Sequence, residues 1–312
     1  MRITNSMLSA SFLGDMNRNL NNMSKIQKQL TSGKEFSKPS DDPFRVSRSM
    51  QMYSDIYANE QYNTNIKDTL NWMDTTDTAL TQATDCLGRI RELMNVAGNA
   101  SYGSTQFTAV QDEINERVAE FGQIMNTTFD GKFIFGGAEG LIKPVDLTVT
   151  NKINSITINS ANYNKINQKL EVEISTGIRV EYNVNAAEIF NVPDLPPSPN
   201  GNLQGLLNKI LSDLGPTGSI KDITGIDLEN LDKAINNLLT VSAKNGTIQN
   251  RMENAKSLNE AQNFNMVEIL ADNEDVDYVE KTMQFATVQT VYMAALQTSA
   301  KVLQPTLLEF LR

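Results

Sequence analysis

Residues 275–312 read DVDYVEKTMQFATVQTVYMAALQTSAKVLQPTLLEFLR, and this stretch decides how the chain is organised. From Thr282 to Leu311 the only charged side chains are Lys301 and Glu309. A surface helix of a soluble protein keeps one charged face, so a helix this bare is built to be covered on more than one side. Two lanes of apolar or small residues run along it at alternating steps of three and four. The first is Val276, Val279, Met283, Ala286, Thr290, Met293, Gln297 and Ala300, and the second is Phe285, Val288, Tyr292, Ala295, Ser299 and Val302. Two seams on one helix predict a bundle and not a simple two-stranded coiled coil. Gln284, Gln289, Gln297 and Gln304, with threonines between them, interrupt the run too often for the roughly 20 consecutive apolar residues of a membrane span. No membrane partner is therefore expected. Leaving a Val, Leu, Met or Phe in water forgoes roughly 1.5–3 kcal/mol per side chain, so a lone copy should hold this end poorly.

The other end of the chain repeats the pattern in weaker form. Ser6, Ser9, Leu13, Met16, Leu20, Met23, Gln27 and Leu30 fall at three- and four-residue steps, and Gly33 supplies a helix stop. Two weakly charged terminal helices are most simply buried against each other. The expected assembly interface is Leu13, Met16, Leu20, Met23, Leu30, Val279, Met283, Ala286, Val288, Tyr292, Met293, Ala295, Val302 and Leu303. The substitution Val288→Asp is expected to impair assembly more than folding.

Between the two ends the period changes twice. After the polar segment 33–43, Ser40, Asp41 or Asp42 can cap a helix with Pro43 in its first turn. That helix runs without a strong breaker to Ala97, with Val46, Met50, Tyr53, Tyr57, Ile66, Leu70, Met73, Leu80, Leu87, Ile90, Met94 and Ala97 on its apolar face. At 1.5 Å per residue it is a rod of about 80 Å. A second helix with Phe107, Val110, Ile114, Val118, Phe121 and Met125 follows, and then the hairpin signal Phe129-Asp130-Gly131-Lys132, with Phe133 and Phe135 predicted on one face. Strict alternation in Leu170–Ile174 and Ile178–Val184, and the apolar Leu147, Val149, Ile156 and Ile158, predict strands. The segment 192–199 is a proline-rich linker and 203–214 a short helix. After Asp227 the helical period returns, with polar Asn245, Asn259 and Gln262 at lane positions. The predicted fold is mainly α with a β insert, a long antiparallel helical bundle of the N- and C-terminal regions around a small β domain. Its expected domains are 1–34 with 275–312, 35–140 with 221–274, and 141–220.

Composition excludes several functions. The formal charge of −10 without any Lys/Arg cluster argues against nucleic acid. A single cysteine, Cys86, and no histidine remove disulfide frameworks, Cys-based zinc sites and the commonest general base. Asp41 with Asp42, and Asp272, Glu274, Asp275 and Asp277, are the carboxylate clusters in which acid/base or Ca²⁺ chemistry could lie, but each fits a helix cap or solvated face better. No catalytic residue, cofactor or metal ligand is expected. The N-terminus carries no cleavable secretory signal pattern.

Four separated stretches resemble the flagellin superfamily: Thr31-Ser32-Gly33-Lys34 through Ser40-Asp41-Asp42-Pro43, Thr127–Lys132, Gly246–Glu253 and Asp275–Glu280. They cover the terminal two thirds and leave the β insert unmatched. Lys38-Pro39-Ser40-Asp41-Asp42-Pro43, Phe133-Ile134-Phe135-Gly136-Gly137 and the ending 303–311 resemble the hook-filament junction branch of that superfamily more than the filament branch; Pro305 departs from that branch. The resemblance implies a structural subunit exported unfolded by the flagellar type III apparatus to the cell exterior. Its implied partners are itself in a helical ring, a hook-side hook-associated protein, filament flagellin and an export chaperone. Filament flagellin itself and a secreted coiled-coil adhesion protein are the alternative readings.

Overall fold

The computed structural model describes residues 5–98, 104–150, 153–159, 163–193, 202–214 and 223–302. The described chain forms two compact units, one from residues 1–58 with 261–312 and one from residues 59–260. The linker residues 194–200, the ending from Leu303 through Pro305 to 312, and the side chains of Phe107 and Val302 lie outside what is described.

The second unit carries the main core. Helix α2, Pro43–Ala97, enters it at Asn59 and contributes an apolar seam with a strict seven-residue repeat. Ile66, Met73, Leu80, Leu87 and Met94 are all fully buried, and Ala83, Ile90 and Ala97 fill the alternate positions. Leu80, Leu87 and Met94 pack with Ile114, Val118, Phe121 and Met125 of α3, Ser104–Met125, and with Leu231, Ala234 and Leu238 of α7, Leu228–Glu274, while Ile66 and Met73 belong to a smaller cluster with Met252. Thr69 and Thr76 occupy the same seam by turning their hydroxyls back to the carbonyls of Asn65 and Trp72. Burial pushes the Cys86 thiol up to about 12, and its Sγ donates to the Arg117 carbonyl, which leaves it a small core hydrophobe.

The described strands form three separate two-stranded hairpins and not one sheet, the first of them ahead of the 141–220 insert. Strands β1, Thr128–Phe129, and β2, Lys132–Phe133, turn through Asp130 and Gly131, both with positive φ as a tight hairpin turn requires. The strand stops at Phe133, so the expected alternation does not reach Phe135; Ile134 and Phe135 are both buried. Strands β3, Val145–Thr150, and β4, Ile153–Ile158, pair in antiparallel register and lie on α3 and on α6, Leu203–Asp213. The outer edge of β4 is closed by side chains, because Asn115, Asn208 and Gln204 accept from the N–H groups of Asn154, Ile156 and Ile158. Short helices α4, Tyr163–Ile166, and α5, Ala186–Phe190, flank β5, Glu171–Ser175, and β6, Ile178–Glu181. Ile174 and Val180 of that last hairpin pack on Ile66, Met73 and Met252, while Glu171, Arg179 and Glu181 face water.

Polar lane positions set the helix register here. Asn245 donates to the Met73 carbonyl (3.3 Å), Asn59 to the Asn259 carbonyl (2.7 Å), and Asn259 to the Ile174 carbonyl (2.9 Å). These pairings make α2 and α7 antiparallel within the unit, and a slip of one turn would orphan three buried amides. Gln262 is exposed and takes no such part.

The first unit has far less core. In it α1, Asn5–Ser32, packs along α8, Tyr278–Val302, and the segments 43–58 of α2 and 261–274 of α7 complete the unit. Its buried hydrophobic side chains among the described residues are Phe36, Ile56, Leu270 and Val276. Met50 and Tyr57, expected on the buried face of α2, are instead exposed; Ile56 and Ser49 point inward.

Candidate assembly interface

The terminal helices expose one lane and cover the other. Along α8 the half-buried residues are Lys281 and Gln284 and then Phe285, Val288, Tyr292, Ala295 and Ser299, the last five being the whole described part of the second lane. The first lane lies open beyond Val276: Val279 is 73% exposed, Met283 64% and Met293 51%, and Ala286 and Thr290 are exposed with them. Val291 and Leu296 add to that open apolar surface. Val288, Tyr292 and Ala295 thus lie on the side of α8 that one copy covers in part. Leu303 lies outside the described residues, as does the side chain of Val302.

On α1 the covered stripe is Ser9, Phe12, Met16, Asn19, Met23, Ile26 and Leu30. Met16, Met23 and Leu30 are on it as expected. Leu13 and Leu20 are not: both are exposed, and Phe12, Asn19 and Ile26 take the expected inward places. The two stripes share every seventh residue and differ only in which neighbour completes each turn. Leu13 and Leu20 thus belong with Met7 to a second apolar surface that one copy does not bury.

A polar clasp joins the two terminal helices to the rest of their unit. Gly33 ends α1 with φ +71, a conformation that suits glycine, and an added Cβ would sit 2.8 Å from the Tyr278 hydroxyl. Beyond it Lys34 bridges Asp275 in antiparallel fashion; the N–H of Glu35 donates to the Glu274 carbonyl and the N–H of Val276 to the Gly33 carbonyl. Side chains reinforce this short ladder. The Lys34 ammonium donates to Glu274 Oε2 (2.5 Å) and to the Tyr53 hydroxyl (2.8 Å), and that hydroxyl donates to Glu274 Oε2 (2.9 Å). Arg45 donates to Glu35 (2.6 Å) and to the Asn273 carbonyl (2.5 Å), and its guanidinium lies 5.3 Å from the centre of the buried Phe36 ring. Lys281 approaches the same Glu35 at 3.7 Å.

The electrostatics follow from these contacts. Burial tends to raise the Glu274 carboxyl, but hydrogen bonds from Lys34, Tyr53 and Ser49 outweigh it and hold the group below its ordinary value. The Arg45 hydrogen bond does the same for Glu35. Lys34 is raised by its bonds to Glu274 and Tyr53. Three of the other suspect carboxylates are occupied locally, while Asp272 is exposed. Asp41 accepts from the backbone N–H groups of Ser37 and Lys38, Asp42 caps α2 at Phe44 and Arg45, and Asp277 caps α8 at Val279 and Glu280. Periodicity could not have revealed the clasp, because Lys34, Tyr53 and Glu274 are far apart in sequence. The only sequence signal was a charged segment placed directly after a helix stop.

This arrangement matches known proteins at both ends. The bacterial flagellin N-terminal helical region matches residues 3–139, and the bacterial flagellin C-terminal helical region matches residues 228–311. The chain belongs to the bacterial flagellin family. Flagellin of Bacillus subtilis is 26% identical over 290 residues, covering 91% of this chain and 90% of that protein. Among solved structures, a putative flagellar hook-associated protein from Vibrio parahaemolyticus has a TM-score of 0.63 at 17% identity, covering 75% of this chain and 100% of that one. A flagellar hook-associated protein 3 from Legionella pneumophila gives 0.58 at 14% identity, covering 72% and 98%. The shared fold is that of this flagellin-type family, mainly α with a small β insert, and its members are structural proteins of the flagellum. Among the described residues no helix is long and apolar enough to cross a membrane.

Proposed function

We propose that this flagellin-family chain is the subunit that joins hook to filament, assembling helically through its terminal helices. The observation that carries the reading is the open lane of α8, Val279, Met283, Ala286 and Met293, beside the exposed Leu13 and Leu20 of α1. An apolar surface of this kind marks an interaction site, and contacts that do not close on themselves build helical arrays. The terminal segments 1–34 and 275–312 line the inner tube, the helical segments 35–140 and 221–274 form the next shell, and 141–220 faces outward. The chain reaches the exterior through the flagellar export apparatus, held unfolded by a chaperone, and meets a hook-side hook-associated protein below and flagellin above. It acts as a building block and not as a catalyst, consistent with carboxylates engaged in caps and clasp and with a buried, unreactive Cys86.

Filament flagellin is the second reading, favoured by the near full-length match to the Bacillus subtilis protein. Deleting the gene separates the two. A junction subunit predicts intact hooks and filaments shed into the medium, whereas loss of filament synthesis with no shed filaments would assign the chain to the filament itself. Filaments that stay firmly attached would contradict both.

A further inference from the structure

Where α6 meets the start of α7, two carboxylates stand against one ammonium. The π-helical turn Ile223–Asp227 leads into α7, and its last residue, Asp227, is fully buried. Lys209 of α6 donates to Asp227 Oδ1 (2.6 Å) and lies 3.6 Å from Oδ2 of Asp213, one helical turn further along α6. The Asp213 carboxyl is itself within hydrogen-bond reach of Asp227. Oδ2 of Asp213 and Oδ2 of Asp227 are both shielded from solvent, and no protein donor bonds to either. The buried side of α6 is otherwise apolar, formed by Leu203, Leu206, Leu207, Ile210 and Leu211. The nearest charges on α7 are committed elsewhere among the described residues, Glu229 to Lys233 and Asp232 to Arg91 of α2.

Two ionised carboxylates and one ammonium would leave this site one charge out of balance, with two buried acceptors lacking a donor, and both conditions are costly away from water. One proton corrects both. Placed on Oδ2 of either aspartate, it donates to Oδ2 of the other and makes the cluster neutral. We infer that Asp213 and Asp227 hold one proton between them, and that this proton, with Lys209, latches α6 to the start of α7. The proton is taken from water and returned to it, so the latch is closed in acid and opens when both carboxyls ionise. Burial pushes Asp227 above its ordinary 3.8, and the Asp213 carboxyl adds to that rise against the pull of Lys209. The latch is therefore complete below 3.8 and is lost as pH rises through the raised folded value.

The test is an NMR titration of the side-chain carboxyls in the full chain labelled at aspartate. Asp227 is expected to titrate at a higher pH than the exposed aspartates of the same chain. Asp213→Asn should bring it down, because the like charge and the proton acceptor go together. An Asp227 midpoint among those of the exposed aspartates overturns the shared proton without any variant. A raised midpoint that Asp213→Asn leaves unmoved also overturns it, since burial or an ordered water alone would then act on Asp227. Hydrogen exchange tests the latch itself. Asp227→Asn puts a permanent amide donor where the proton sits, so α6 should exchange alike in variant and parent in acid, and severalfold faster in the parent above its midpoint. A parent-to-variant ratio that stays constant with pH overturns the latch.

Discussion

The two units of this chain are made of similar helices yet are held together by different means. In the 59–260 unit, a seven-residue repeat of Ile66, Met73, Leu80, Leu87 and Met94 is fully buried, and its Leu80, Leu87 and Met94 share a core with Phe121 and Phe190. In the other unit no hydrophobic side chain is completely buried among those described, and a charged clasp stands where a core would be. The contrast teaches that one unit is finished within a single copy and the other is not. A region stabilised by few buried contacts opens at low free energy, which suits an element that must be completed by neighbours.

The largest expected effect that would sharpen this contrast is in the finished unit. Phe121→Ala should lower the stability of the 59–260 unit by about 3–5 kcal/mol in denaturant melts, as large-to-small changes in tight cores do. An equivalent loss from truncating Phe36 in the terminal unit would erase the distinction. Next, Lys34→Met should destabilise the terminal unit by about 1–2 kcal/mol, because it strands the buried Glu274 carboxylate, an effect moderated by the half-exposed position of the lysine. Hydrogen exchange in α1 and α8 reads this directly, with no change expected in α3.

Acid should act on the clasp carboxylates and on Asp227 with opposite sign. Glu274 and Glu35 are held below their ordinary values in the folded state. Their stabilisation is complete above the unfolded value of 4.5 and is lost as pH falls through it towards the folded value. Asp227, in the other unit, is raised by burial despite its bond to Lys209, so protonation favours its folded form. Lowering the pH from neutrality to below 4.5 should therefore speed exchange in α8 while the Asp227 contribution moves the other way. Uniform acid loosening would break the comparison. The smallest effect expected is from Gly33→Ala, about 1 kcal/mol or somewhat more, since it adds left-handed strain to a displacement of the Tyr278 hydroxyl.

Much of this was legible in the residues. The 43–97 helix, the Asp130-Gly131 turn, the β5–β6 hairpin and the two lanes of α8 all announce themselves by period or by turn chemistry. The stripe on α1 did not, because Leu13 and Leu20 are as apolar as Phe12 and Ile26 and a three-four spacing accepts either set. Which lane of α8 is covered was equally undetermined, since both are apolar and only the position of α1 distinguishes them. The separation of the insert's two hairpins goes with side-chain amides from α3 and α6 that close the outer edge of β4, and no local pattern encodes that. The clasp was hidden for the same reason: its members are paired only by the fold.

The most direct test is hydrogen exchange along α8, followed first in a verified monomer and then in assembled material. Fast exchange in the monomer and strong protection after assembly are predicted, with α2 residues 66–94 protected in both. Full protection of α8 in the isolated monomer would contradict the account, since its open lane would then need no neighbour.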